Sequence, residues 1–297
     1  MTASTDAVVA PPPADQKRGG IGNLPVYLVV GLIALLWSIP SIGLLINSFR
    51  EAQSVRRAGW WTIFGDFFDS ATWTLGNYQT VLERGFSNAF ANTVAVTIPS
   101  VVIPITIAAF AAYAFAWMDF PGRNLMFVTV VGLMVVPLQM ALIPILRIYT
   151  SIDVTGTFPA VWLAHAGFGL PLAVYLLRNY MGSLPGSVIE SAQIDGADHF
   201  TIFWRLIVPL SVPVLASFAI FQFLWIWNDY LVALVFLGIE PKSRVLTVEL
   251  ADLAGRGEGA LNLLPAAAFV TMIVPLVVFF ALQRFFVRGL TAGSVKG

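Results

Sequence analysis

Few side chains in this 297-residue chain could carry chemistry. Cysteine is absent, which removes thiol nucleophiles, disulfides and thiolate metal ligands together. The two histidines, His165 and His199, are far apart in sequence; His165 lies in an apolar run and reads as a satisfied core histidine. The glycines at 255, 257 and 259 lack the Lys-Ser/Thr that completes a phosphate-binding loop, so they read as a flexible exposed loop and the chain itself has no ATP site. Paired carboxylates, a Ser/His dyad or metal ligands inside apolar stretches would mark an enzyme working within a membrane, and no such set is visible, so neither a catalytic nor a metal site is expected. One group stands out. Asp229 sits in the run Trp227-Asn228-Asp229-Tyr230 within an otherwise apolar stretch. A carboxylate there is costly unless it faces a cavity or a polar partner. Two roles stand open for it. One is contact with a polyhydroxy solute beside an aromatic platform; the other is a structural pairing across a subunit interface. Gln139 and Gln222 are weaker candidates for the same pathway.

A second region could act mechanically. Ser187 is followed three residues later by Glu190, a capping-box spacing that predicts a short helix ending near Gln193 or Ile194. Gly196 supplies a left-handed stop, and Asp198 can cap a second helix running through Phe203 toward Pro209. Val188, Ala192, Phe200 and Phe203 give this helix–Gly–helix elbow an apolar face. Such an elbow is shaped to enter a groove on another protein; read from the residues alone, an ordinary surface turn joining two apolar segments is the plainer reading.

The elements that must hold these groups follow from composition. Hydrophobic residues make up 58% of the chain and charged ones 11%, against about 45–50% and about 25% in soluble domains. That surplus has to face lipid. Spanning roughly 30 Å of hydrocarbon takes about 20 apolar residues in a helix. Six stretches qualify, at about 26–47, 89–117, 125–148, 158–180, 210–237 and 264–285. No period-two alternation of a membrane barrel is visible. The expected fold is an all-α integral membrane protein of six spans. Residues 1–25, with Pro11-Pro12-Pro13, read as a disordered tail. Residues 183–209 form the polar loop between spans four and five, and residues 287–297 a short C-terminal tail. Seven prolines, Pro40, Pro99, Pro104, Pro137, Pro144, Pro171 and Pro275, fall inside the apolar stretches and are expected to kink them. Trp60, Trp61 and Trp73 in the first long loop suit a membrane–water interface. Sixteen basic residues divide evenly between the two sides, so the charge count alone leaves orientation open. With net charge zero, nucleic acid is not an expected partner.

The run Glu190-Ser191-Ala192-Gln193-Ile194-Asp195-Gly196-Ala197, followed by Phe203 and Pro209, resembles the EAA loop of ABC-importer permeases: Glu-Ala-Ala, three residues, Gly, then an apolar stretch and Pro. Ser191 stands in place of the first alanine. Asn92-Thr93, Ala112-Tyr113-Ala114-Phe115, Phe120-Pro121-Gly122-Arg123, Trp227-Asn228-Asp229 and the tail from Phe286 to Gly297 are similar to the carbohydrate-class branch, in particular to the smaller maltose-type permease. The resemblance runs from about residue 26 to the end.

Several expectations rest on this resemblance. Both termini and the Glu190 loop lie in the cytoplasm of a prokaryotic cell, and the spans lie in its plasma membrane. Glu190, Ala192, Asp195, Gly196, Ala197, Phe203 and Pro209 form a coupling element that docks into a cytosolic ATPase subunit. Gly289, Gly293 and Lys296 let the tail reach the ATPase dimer interface. The partners are a homologous second permease, two ATPase subunits that bind ATP and Mg, an extracytoplasmic sugar-binding protein, and lipid. The cargo is a sugar or oligosaccharide. An ABC permease for a non-sugar solute is the alternative; a stand-alone secondary transporter would show more spans, internal repeats and an ionisable relay.

Overall fold

A computed structural model describes residues 24–66 and 73–291. Within them the chain forms α1 (Leu24–Ser48), α2 (Ala52–Arg57), α3 (Ile63–Asp66), α4 (Gly76–Val81), α5 (Ser87–Trp117), α6 (Arg123–Gly132), α7 (Leu138–Ser151), α8 (Phe158–Gly182), α9 (Gly186–Ile194), α10 (His199–Ile202), α11 (Val208–Trp227), α12 (Leu231–Leu237), α13 (Leu246–Gly255) and α14 (Leu263–Thr291). Among the described residues, strand-type pairing is confined to one isolated bridge, Arg50 with Trp73. Among the described residues five helical stretches are long and apolar enough to cross a membrane, and a sixth is reached if the bent pair α6–α7 counts as one span.

That pair departs from the continuous third span expected at 125–148. A short 3₁₀ turn follows α6, Val136 is extended (φ −70°, ψ 116°), and the two halves meet at 104°. The cause is Pro137, which has no N–H and drives its predecessor out of helical geometry. The other six intramembrane prolines are all carried inside helices. The fifth span is also divided, at residues 228–230, between α11 and α12. Three smaller expectations shift as well. Leu24 and Pro25 already belong to α1 rather than to the tail. At the other end α14 runs on to Thr291, through Gly289, while residues 1–23, Gly293 and Lys296 lie outside the described residues. The glycine patch is ordered helix end: α13 closes at Gly255 and a 3₁₀ turn spans Gly257–Ala260.

The central pair is α5 against α8. Ala108, Ala112, Ala160, Ala164 and Ala173 are almost wholly buried. Small residues let backbones approach where lipid offers no hydrophobic drive between helices. By contrast α1 keeps most side chains exposed, with Trp37 81% accessible, as a helix facing an apolar medium on nearly every side would be.

The two ends of the bundle are built differently. At one end the long loops close on each other through asparagines. Asn92 Nδ2 donates to Lys242 O and Arg244 O at 2.9 Å each, and Asn88 donates to Pro241 O and Lys242 O. Asn77 donates to Ser48 O and Arg50 O while accepting from Asn262. The buried Arg50 guanidinium is held by Asn47, Thr62 and the carbonyls of Ser54, Ala58 and Gly59. Trp60 folds back onto α1, where a Cβ on Gly43 would lie 2.7 Å from its ring; Trp61 is exposed. Arg244 pairs with Glu249 and Asp252, and Arg256 pairs with Asp252. The opposite end carries the elbow.

Candidate functional site: a docking elbow and a carboxylate at a helix break

The elbow begins two residues earlier than the capping-box spacing suggests. Pro185 (φ −60°, ψ 120°) is the N-cap of α9 and Gly186 its first residue, which places Ser187 inside the helix. No side-chain cap forms at this end. Ser187 instead uses its carbonyl to accept from Ser191 Oγ at 2.8 Å. Glu190 Oε1 reaches back to within 3.9 Å of where a Gly186 Cβ would stand.

The C-terminus of α9 is a Schellman motif. Ala197 N donates to Ala192 O at 2.9 Å and Gly196 N to Gln193 O at 3.0 Å, with Gly196 left-handed at φ +82°. Ala192 and Ala197 pack on the same core cluster, the apolar contact such a motif uses. The spacing of Ala192, Gly196 and Ala197 thus has a local cause: the orphan carbonyls at the helix end need these two amides. Asp195 is the exposed C-cap.

Asp198 then caps α10, its Oδ1 accepting from Thr201 N at 2.8 Å. Hydrogen bonding from Thr201, its side chain first and this backbone amide second, holds the carboxyl below the usual carboxylate range. A carboxylate with a depressed folded-state pKa contributes fully above its unfolded value, and the contribution is lost as pH falls through the folded one. Protection of the Thr201 amide against hydrogen exchange should therefore persist below the ordinary aspartate range and fade only at more acid pH. In Asp198→Asn that pH dependence should disappear.

After α10 the chain passes through a π-turn, Phe203–Ile207, into α11, with Pro209 in its first turn where a missing N–H costs little. The elbow divides into two faces. Ile189, Ile202 and Phe203 are buried against α5 and α8. Phe203 stacks on Phe110 (centroids 4.6 Å) and meets Tyr113 edge-on (5.4 Å). Facing away are Val188, Phe200, Trp204 and Ile194, the last 86% exposed. Of the four residues expected on one apolar face, Phe203 and Ala192 therefore pack inward and Val188 and Phe200 outward. Ile194 and Trp204 were missed; a large apolar residue ending a short helix in a polar loop is the signal that marks Ile194.

At residues 228–230 the structure separates the aromatic-polar run into different jobs. Trp227 is buried, donates Nε1–H to Thr271 O at 3.0 Å, stacks on Phe223 and meets Phe90 edge-on. It fastens α11 to α14 and offers no open ring face as a solute platform in this conformation. Asn228 Nδ2 donates back to Leu224 O at the end of α11, and Tyr230 is 42% exposed. Asp229 caps α12 from within the same chain: Oδ2 accepts from Ala233 N at 2.9 Å and Oδ1 from Val232 N at 3.3 Å. Its backbone carbonyl accepts from Thr247 Oγ1.

Asp229 Oδ2 also stands 3.6 Å from Nε2 of His165, which is fully buried in α8. Neither His165 ring nitrogen has a hydrogen-bond partner among the described residues, so this is a core histidine but not a satisfied one. Trp225 meets its ring edge-on at 5.6 Å. Gln222, equally buried, donates weakly to His165 O (3.4 Å), leaving its Oε1 unpaired. Gln139 lies apart and exposed, just past the Pro137 bend. The contact of Gln222 with α8 depends on Gly169, where a Cβ would lie 2.6 Å from Gln222 Nε2. Gly169→Ala should push Gln222 aside and lower the unfolding midpoint of the purified protein, at a cost of about 1–3 kcal/mol. Gly167→Ala, with nothing within 4 Å, is the neutral control.

This apolar helical bundle, with a short helical elbow at one end, has the anatomy of a membrane transport permease. The chain belongs to the family of binding-protein-dependent transport system inner membrane components, whose pattern matches residues 90–292. It is 54% identical over 275 residues (92% of both chains) to the osmoprotective compounds uptake permease protein GgtD of Synechocystis sp.. It is 42% identical, over 92% of this chain and 97% of the relative, to the alpha-glucoside transport system permease protein AglG of Rhizobium meliloti. An arabinooligosaccharides transport system permease, AraQ of Halalkalibacterium halodurans, is 32% identical over 95% of this chain and all of its own. A chain in the crystal structure of a bacterial ABC transporter importing the acidic polysaccharide alginate shares the fold (TM-score 0.73, 22% identity, covering 89% of this chain and 96% of that one).

Proposed function

We propose that this chain is one of the two membrane-spanning subunits of an ATP-driven importer that moves a sugar or oligosaccharide across a prokaryotic plasma membrane. The single observation that carries the reading is the elbow. Its inner face is locked to the bundle by Ile189, Ile202 and Phe203, while Ile194 and Phe200 project outward and stay largely uncovered among the described residues. A rigid, apolar-tipped element of this kind transmits the motion of whatever it docks on. The partner is a cytosolic ATPase pair, which supplies ATP and Mg chemistry that this chain has no loop to perform. A second, homologous permease and an extracytoplasmic binding protein complete the assembly; a neighbouring fold was solved as a bacterial alginate transporter in complex with a pentasaccharide-bound periplasmic protein.

In this reading α6 and α7 form one broken span, giving six, and the elbow and both termini face the cytoplasm. The asparagine-braced loops face the binding protein. The relatives named for alpha-glucosides and arabinooligosaccharides support a sugar or oligosaccharide as the cargo. The non-sugar alternative is kept alive by the osmoprotectant relative.

The test joins the two halves of the claim. A cysteine at Ile194 should crosslink to a cysteine-bearing ATPase subunit co-purified with the chain, and glycosides offered with their binding protein should stimulate ATP hydrolysis by that complex. Accessibility of the same cysteine from outside intact cells, or failure to crosslink to any ATP-hydrolysing partner, overturns the reading.

A further inference from the structure

The elbow is tied to the bundle by one polar contact that its apolar packing does not require. Tyr113 OH and His199 Nδ1 are 2.8 Å apart. Tyr113 is 5% exposed and lies near the elbow end of α5, within the core cluster that also holds Ile189, Ile202 and Phe203. His199 is the exposed first residue of α10, next to the capping carboxylate of Asp198. The bond therefore joins the α5–α8 centre to the moving element 86 residues further along the chain.

The segment on the other side of His199 is built to bend. The π-turn Phe203–Ile207 joins α10 to α11 directly. Such turns interrupt the regular α-helical ladder and recur at functional positions. A push on α9 and α10 has two routes into the membrane. One runs through the π-turn into α11, and the other through His199 and Tyr113 into α5. Aromatic packing of Phe203 on Phe110 and Tyr113 resists separation, but it is non-directional and allows sliding. A hydrogen bond has an orientation and a steep distance dependence, so it fixes register where ring contacts do not.

We infer that the Tyr113–His199 hydrogen bond is the positioning contact that makes α5 follow the elbow, so that its loss uncouples ATP hydrolysis from solute movement without detaching the elbow from the ATPase. This rests on the docking role proposed above for the elbow. Tyr113 and His199 touch neither nucleotide nor solute; they act through the elbow. The charged and titratable groups near the bond are Asp198 beside His199 on the elbow and, on the same loop, Glu190, Asp195 and Arg205. In the neutral tautomer with a bare Nδ1, His199 accepts from the tyrosine hydroxyl. When the imidazole is protonated the roles reverse and the hydroxyl oxygen accepts, so the contact survives in either charge state.

The measurement is the number of solute molecules imported per ATP hydrolysed, in vesicles holding the complete importer with its binding protein. Tyr113→Phe and His199→Ala should each lower that ratio by about two- to tenfold, the range of one net hydrogen bond in a two-state equilibrium. The double variant should be no worse than either single one, because both remove the same bond. His199→Asn places Oδ1 close to where Nδ1 stood and should restore the ratio; a role in packing alone would predict no such rescue. Crosslinking through a cysteine at Ile194 is run in every variant. If the crosslink forms and the transport ratio stays at the wild-type value in Tyr113→Phe and His199→Ala, the inference fails while the docking reading stands. If the Ile194 crosslink is absent even in the unsubstituted protein, the docking reading itself fails.

Discussion

Replacing Gly196 with valine should cut solute uptake roughly tenfold or more while leaving the protein inserted and folded in the membrane. The argument is backbone strain alone. Gly196 holds φ +82°, and a Cβ built there meets nothing within 4 Å, so no side-chain clash contributes. A residue with a Cβ pays about 1–2 kcal/mol for left-handed geometry, and a β-branched one more. That strain is relieved by releasing the Schellman bonds from Ala197 to Ala192 and from Gly196 to Gln193, which lets the tip at Ile194 swing away from its docking orientation. A cost of about 1.4 kcal/mol reduces the docking-competent population about tenfold. Asparagine tolerates left-handed geometry better than other residues, so Gly196→Asn should recover much of the uptake and alanine should fall between. Uptake assays on the three variants, normalised to membrane content, check this order. Uptake by Gly196→Val at the wild-type rate would show that the elbow's bend is not needed.

The second large effect concerns Asp229, and two substitutions separate its two open roles. Asp229→Ala removes the acceptor from both the Val232 and Ala233 amides at the start of α12. Loss of a helix cap costs about 1 kcal/mol and up to about 2, and a buried amide left without a partner adds about 1–3 kcal/mol. The thermal midpoint of the purified protein should fall by several degrees. Asp229→Asn retains an acceptor oxygen but removes the charge that faces His165 at 3.6 Å. If Asp229 acts as a cap, Asp229→Asn keeps one of the two acceptor oxygens, loses less stability than Asp229→Ala, and keeps uptake. If the carboxylate binds solute, Asp229→Asn has the same intermediate stability but raises the half-saturating solute concentration. Equal stability of Asp229→Ala and the unsubstituted protein would remove the capping role. The geometry already favours a cap, because both carboxylate oxygens are engaged by α12 amides within this chain.

What the sequence determined by itself is whatever is encoded within a few residues or in bulk composition. The membrane class follows from apolar runs too long and too uncharged for a soluble core. The elbow's bend at Gly196 and its cap at Asp198 were legible because a left-handed stop and an N-cap each need one particular kind of residue at one position. The family pattern at 190–209 is carried by the same short-range needs. The α9 start was misplaced by two residues, since Pro185 can end an extended segment and begin a helix without any side-chain cap.

Tertiary structure alone decided three things. It set which side of the elbow is buried, placing Ile189 and Phe203 inward and Ile194 outward. It showed that Pro137 breaks its span while six other prolines are absorbed within helices. It brought His165 to Asp229 and Trp227 to Thr271, contacts between segments far apart in the chain. The physical reason is common to all three. A helix surrounded by lipid is apolar all round, so its sequence carries little record of which face meets a neighbour; that choice is made by packing, and polar partners across helices are found only once the packing is known.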